Sequence, residues 1–171
     1  MRLFAALRLP PHVVADAESA LAQPRVTHPE IRWVPAQRWH LTLAFYGEIA
    51  DGKVEGLMTK VDTRVRRASP MQLALRGSGQ FARRALWLGV AGETAALRTL
   101  AMSLTVDRRP YLAHLTVARL RNGVDATPAV AELAGYAGPS WVAGSVHLVR
   151  SRLGASPTYE DIGCWPIQPR P

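Results

Sequence analysis

The chain has 171 residues, 48% hydrophobic and 20% charged, which suits one well-cored unit and excludes both intrinsic disorder and two independent full-sized domains. Its formal charge of +8 rests almost wholly on arginine, since only Lys53 and Lys60 of the 21 cations are lysines. The planar guanidinium fork matches phosphate oxygens, so this balance points to nucleic acid or phosphorylated ligands as partners. A single cysteine, Cys164, excludes an internal disulfide and a cysteine-cluster metal site. The N-terminal apolar run is broken at Arg8 and Pro10, and no stretch approaches the roughly twenty residues of a membrane span; the expected compartment is the cytoplasm, with no membrane partner.

Taken in chain order, Arg2 to Leu9 reads as a strand with Leu3, Ala5, Leu7 and Leu9 on one face, stopped by Pro10-Pro11. Pro11 to Gln23 has helical spacing and is expected to end at Pro24. Ile31 to Val34 is a short extended piece. Trp39 to Tyr46 alternates, His40, Thr42, Ala44 and Tyr46 on one face and Trp39, Leu41, Leu43 and Phe45 on the other. Val54 to Ala68 is a helix whose late arginines suit its dipole. Met71 to Gly77 and Ala85 to Val90 are strands joined by a turn at Gly77-Ser78-Gly79, followed by a helix over Glu93 to Leu104. The remaining predicted elements are a strand over His114 to Leu120, a helix over Thr127 to Tyr136, a long strand over Trp141 to Arg150, and Tyr159 to Ile167. Without regular βα alternation or a glycine-rich phosphate loop, the pattern is α+β with largely antiparallel sheets.

One internal echo carries chemistry. His40-Leu41-Thr42-Leu43 and His114-Leu115-Thr116-Val117 share the order His, apolar, Thr, apolar, each within a predicted strand. With five His and ten Thr in the chain, about 0.3 His-x-Thr matches are expected by chance, against two observed. In a strand, residues i and i+2 lie on one face about 6.6 Å apart, so each segment aims an imidazole and a hydroxyl together while its apolar residues bury behind. Two such strands facing one another would surround a tetrahedral anion. One imidazole can take a proton from water while the other gives one to the departing oxygen, and the threonine hydroxyls can donate to the non-bridging oxygens. No metal or other cofactor is called for: no cluster of His, Cys or carboxylates stands at ligand spacing. Ser151 has no base arranged beside it in sequence, which argues against a serine hydrolase.

The residues around these motifs resemble the 2H phosphoesterases, and within them the RNA 2′,3′-cyclic phosphodiesterases once described as 2′-5′ RNA ligases. The resemblance rests on Arg2-Leu3-Phe4, on Trp39 through Gly47, and on Arg109-Pro110-Tyr111 leading into His114 through Arg119. Gly77 to Phe81, Leu86-Trp87-Leu88 and the stretch from His147 to Tyr159 add to it. It implies a single bilobal unit over residues 1–171, two largely antiparallel sheets around a central cleft with helices outside. It further implies that His40 donates a proton to the leaving 3′ oxygen and that His114 activates water, leaving a 2′-phosphate; the residues themselves do not order the two roles. The family carries proline immediately before the second histidine, whereas here Tyr111-Leu112-Ala113 separates Pro110 from His114.

Further candidates surround the pair. The resemblance gives Arg119 an anion-binding role, although alternation sets it one step off the His114 face and a local twist is needed. Phe81 and Tyr46 are candidate base-stacking residues, and Arg83, Arg84 and Arg109 candidate contacts to RNA phosphates. Trp39 and Trp87 read as core, and His12, His28 and His147 as surface or structural. The expected partner is RNA or a nucleotide carrying a 2′,3′-cyclic phosphate, bound by a monomer. Making or breaking 2′-5′ linkages, hydrolysis of a small cyclic nucleotide, and RNA binding without catalysis are the alternatives.

Overall fold

The alternation of the first strand separates two environments. In the computed structural model, which describes residues 1–82, 84–105, 107, 109–121, 123–154 and 157–169, strand β1 (Arg2–Leu7) buries Ala5 and Leu7 in the main core. On its other face Phe4 and Ala6 pack with Val149 and Tyr159 in a small separate cluster. Behind β1, the chain continues through α1 (Pro11–Thr27), β2 (Arg32–Trp33), a 3-10 turn (Ala36–Arg38), β3 (Leu41–Glu48), a second 3-10 turn (Asp51–Lys53), α2 (Val54–Val65) and β4 (Met71–Phe81). It then forms β5 (Ala85–Gly92), α3 (Thr94–Leu104), β6 (His114–Arg119), α4 (Thr127–Leu133), β7 (Ala137–Ala143), β8 (Ser145–Arg152) and β9 (Thr158–Pro166). Val13, Val61, Leu97 and Ala129, one from each helix, join the main core, so all four helices cover the same side and leave the opposite side open. None of the described helices is long and apolar enough to cross a membrane.

The fold is α+β, and the described strands pair antiparallel in the order β7-β4-β5-β6-β3-β1-β8-β9, with β2 beside β6. The expected pair of sheets is thus one continuous path with two halves. β6 and β3 meet through one residue pair only, Leu41 opposite Leu115. Both leucines are fully buried, and each contributes about 1.5–3 kcal/mol by leaving water. The core on the helix side runs through both halves without a break.

Several sequence expectations need correction. Helix α1 runs to Thr27, past Pro24: the ring removes one backbone donor, and the last turn is held by His28 N–H donating to the Pro24 carbonyl at 2.9 Å and by the Gln23–Thr27 side-chain bond. The Gly77-Ser78-Gly79 segment is no turn but lies inside β4, where Gly77 adopts φ +59° at a register shift and Gly79 leaves room for the Trp87 ring, which a Cβ would meet at 2.3 Å. The reversal is at Ala82, with Arg84 N–H donating to the Phe81 carbonyl. The single strand expected over Trp141 to Arg150 is two: β7 pairs with β4 in one half, and after Gly144 the chain crosses so that β8 pairs with β1 and β9 in the other. Helix α4 stops at Leu133, before Gly135 and Tyr136.

Strand β3 departs most from simple alternation. Its pairing with β1 skips Leu43 and Tyr46, and each extra residue reverses the faces that follow. Tyr46 therefore packs against the main core, on the face away from the open side, and its hydroxyl is buried without a hydrogen-bond partner. Burial pushes its pKa up to about 12. An unpaired buried hydroxyl costs roughly 1–3 kcal/mol. Replacing it should help: Tyr46→Phe is expected to raise the unfolding free energy by about 1 kcal/mol, measured by urea denaturation. A destabilised variant would show that the hydroxyl has a partner.

Candidate active site

The single pair joining the halves sets the geometry of the two motifs. About an antiparallel Leu41–Leu115 pair, the residues one step either way face each other across the strands: His40 toward Thr116, and Thr42 toward His114. All four side chains line one cleft of about 560 Å³ on the helix-free side. Leu41 and Leu115 point the other way, into the core. The strand ends are anchored across the junction as well: the Tyr111 hydroxyl donates to the Thr42 carbonyl at 3.0 Å. The unusual lead-in to the second histidine thus ties β6 to β3.

The two imidazoles are held in the same way. His40 Nδ1 lies 2.8 Å from the Arg38 carbonyl and His114 Nδ1 lies 2.8 Å from the Leu112 carbonyl. A carbonyl can only accept, so both rings carry their proton on Nδ1 when neutral and keep Nε2 as the basic nitrogen. Aromatic neighbours fix the ring planes. Phe4 is tilted 32° against His40 at 4.8 Å and Tyr159 meets it edge-on at 5.3 Å; Phe81 meets His114 edge-on at 4.8 Å and Trp87 lies at 6.4 Å. Each half thus supplies a histidine, a threonine and two aromatic walls.

The electrostatics favour an anion. Among the described residues Arg2, Arg32, Arg38 and Arg119 line the cleft, and no carboxylate does. Burial, above all, pushes the His40 pKa down to about 4; the bond to Arg38 opposes this, and the charges of Arg8, Arg119 and a protonated His114 add to it. His114 is shifted the same way, by burial first and by Arg119, against its own backbone bond. Both rings are therefore shifted toward the neutral form near pH 7.

Of the residues expected from sequence, His40, His114, Thr42, Thr116, Arg119 and Phe81 come together here. Arg119 reaches the cleft face because β6 carries its own bulge: the β5 pairing skips Val117, which supplies the needed twist. Tyr46 is the exception, turned to the core by the bulges of β3. Arg84 and Arg109 are not among the lining residues; Arg109 instead pairs with Asp107, whose carboxyl the guanidinium holds low. Arg83 lies outside the described residues. Trp39 is buried in the core, while Trp87 is drawn to the His114 wall. The sequence reading missed Phe4, Tyr159, Phe45 and the cleft arginines Arg2, Arg32 and Arg38. The signal for two of these was available, since Arg2 and Phe4 occupy the face of β1 opposite its leucines.

The sequence and the fold are similar to those of known phosphoesterases. The family model described as LigT like Phosphoesterase matches residues 8–87. An RNA 2′,3′-cyclic phosphodiesterase of Geobacillus stearothermophilus is 31% identical over 165 residues, covering 89% of this chain and 50% of its own, so the chain spans about half the length of that relative. A protein of the same name from Methanothermobacter thermautotrophicus is 30% identical over 149 residues, covering 78% of this chain and 80% of its own. Among solved structures, Escherichia coli LigT in apo form superposes with a TM-score of 0.77 at 26% identity, covering 98% of this chain and 97% of its own. That protein has also been solved with phosphate and with 3′-AMP.

An anion between the rings should reverse the His40 shift, because its charge offsets the arginines and favours imidazolium. Followed by NMR of the His40 ring, the free protein is expected to titrate near pH 4, and inorganic phosphate to move the midpoint upward. By linkage His40 then holds more proton in the bound state than in the free state, so affinity for the phosphate dianion falls as pH rises from the free-state to the bound-state pKa of that ring. An unmoved midpoint at saturating phosphate would place the anion away from His40.

Proposed function

Because the chain belongs to the LigT-like phosphoesterase family, we propose that it is a hydrolase that opens the 2′,3′-cyclic phosphate at the end of an RNA strand to a 2′-phosphate, without a metal. The observation that carries this reading is the matched pair of imidazoles, each fixed through Nδ1 to its own strand and each presenting a basic Nε2 to one arginine-lined cleft. The fold's likeness to that of a protein solved with phosphate and with 3′-AMP supports a nucleotide ligand.

In the proposed step, His114 Nε2 takes a proton from water as the water oxygen bonds to phosphorus. The bond from phosphorus to O3′ breaks in line, and His40 gives its Nε2 proton to O3′. Thr42 and Thr116 donate to the non-bridging oxygens, and Arg119 balances the charge that builds on them. His40 must enter this step protonated, and the substrate's own negative charge supplies the field that restores its pKa. Both rings are shifted toward the neutral form and are alike in hydrogen bonding; the family resemblance supports His40 as donor and His114 as acceptor. The single cysteine and the RNA substrate suit a monomer working in the cytoplasm.

An oligoribonucleotide ending in 2′,3′-cyclic phosphate should be opened in EDTA, with only the 2′-phosphate formed, and His40→Ala and His114→Ala should each lose about 10²–10⁴ in rate. A phosphodiester with a p-nitrophenolate leaving group separates the roles, because that group departs without a proton: His40→Ala should recover most of its rate and His114→Ala should not. Wild-type protein that is folded, binds the RNA and turns over none of it would favour a binding protein instead.

A further inference from the structure

The outer strands of the sheet carry a group of side chains that the cleft chemistry leaves unused. Antiparallel pairing sets His147 of β8 opposite Ala6 on one side and Cys164 of β9 on the other, and sets Asp161 of β9 opposite Val149. Directly paired residues share a face. Ala6 and Val149 belong to the small cluster with Phe4, whose ring packs on His40, so His147, Asp161 and Cys164 stand on the open side of the sheet. Ser145, two residues before His147 on the same strand, stands there too. None of these four lines the cleft.

Their hydrogen bonds run in one line along β8. Asp161 Oδ2 lies 2.9 Å from His147 Nδ1, and Ser145 Oγ lies 2.9 Å from His147 Nε2. A carboxylate can only accept, so Nδ1 carries the proton of the neutral ring; Nε2 then keeps a lone pair, and the Ser145 hydroxyl donates to it. The other carboxylate oxygen, Oδ1, accepts from the Arg8 guanidinium, which fixes the carboxylate in place. Ser145 and His147 are half-buried, Cys164 is exposed with its Sγ 3.8 Å from Nε2, and β9 is the last strand of the path. The hydroxyl is therefore within reach of a small molecule from the sheet edge. A hydroxyl bonded to an imidazole that a carboxylate orients is the arrangement that makes serine a nucleophile. Sequence spacing pairs Ser145 with His147, but Asp161 joins them only through the β8–β9 pairing.

We propose that Ser145, His147 and Asp161 form a second nucleophilic site, separate from the cleft, that takes acyl groups from small, uncharged carboxylic esters. Ser145 Oγ bonds to the ester carbonyl carbon as its proton passes to His147 Nε2. The bond from that carbon to the alcohol oxygen breaks, the alcohol leaves with the proton, and Ser145 is left acylated. Water then attacks the acyl carbon, its proton passes through Nε2 to Oγ, and the carboxylic acid is released. Asp161 is a positioning residue that holds the tautomer of His147. Arg8 and Asp161 offset each other's charge, which suits an uncharged ester.

Diisopropyl fluorophosphate tests the nucleophile, because a bond forms between phosphorus and Oγ as fluoride leaves, and peptide mass spectrometry locates the adduct. One adduct is expected, on Ser145, absent in Ser145→Ala and formed about 10²–10⁴-fold more slowly in His147→Gln and Asp161→Asn. Arg8→Gln removes the ion pair but leaves the carboxylate on His147, and should label at close to the wild-type rate, as should Cys164→Ala. Equal slowing in Arg8→Gln and Asp161→Asn would reduce Asp161 to a structural ion pair and overturn the triad. Hydrolysis of p-nitrophenyl acetate should fall in the same variants that lose labelling. A folded wild type that takes no adduct, or takes it on Cys164 alone, sinks the proposal. So does an equal fall in 2′,3′-cyclic phosphate opening in Ser145→Ala and His147→Gln, which would make the network a support for His40 and not a separate site.

Discussion

One cross-strand pair decides what this molecule can do. Among the described residues Leu41 and Leu115 are the one pair through which the two halves of the sheet share a register, and both are sealed from water. Antiparallel pairing about them leaves no freedom in what faces what: each histidine lies toward the other strand's threonine. Sliding the register by one would turn the polar residues of one motif into the core and its leucines into the cleft, stranding several buried polar groups at about 1–3 kcal/mol each. The apolar half of each motif, which faces the core, therefore positions the polar half. The pairing stops on both sides of this contact, and the strands part to leave room for an anion.

The second constraint is the bulge that follows each motif. A regular strand would carry alternate residues along the cleft and give no pair of adjacent core positions. With one extra residue, Leu43 and Ala44, or Val117 and Ala118, both bury, and Phe45 and Arg119 come back to the open side. The two halves then differ mainly at that sixth position, aromatic in one and cationic in the other. Two similar strands so yield a cleft with distinct ends from nearly the same six residues.

Much of this was legible in the sequence, and the parts that were not share a cause. The spacing of His40 and Thr42, and of His114 and Thr116, needs only the two-residue period of a strand over three residues, too short a run for a bulge to intervene. Tyr46 and Arg119 lie beyond the bulge, where counting by two gives the wrong face for both. The same limit hid Phe45. Gly77 and Gly79 read as a turn because glycine marks reversals, but it also marks a bulge and a place where a ring lies flat on the backbone, and the Trp87 ring that needs the space is close only in three dimensions. At Gly144 the chain leaves one half of the sheet for the other while the apolar pattern continues on both sides, so composition gives no sign of the crossing. Pro24 shows the converse error, a breaker tolerated because the helix had one turn left to run and tertiary contacts hold it.

The remaining tension is electrostatic. Four arginines line a cleft that holds two imidazoles and no carboxylate among its described lining residues, and a lone carboxylate would be the simpler way to keep one ring protonated. Such a carboxylate would also repel the anion. The proposed step resolves the conflict through the ligand: the rings are shifted toward the neutral form, His40 well below the usual imidazole range, and an arginine-lined cleft favours an anion. Once phosphate enters, its charge offsets that field and the buried ring can take a proton at much lower cost. In the proposed step the acid is thus assembled by the group it is to act upon. The Nδ1 anchors of the two rings are alike, so in the proposed step the ring that gains the proton is set by where the substrate places its charge and its leaving oxygen, and not by the backbone.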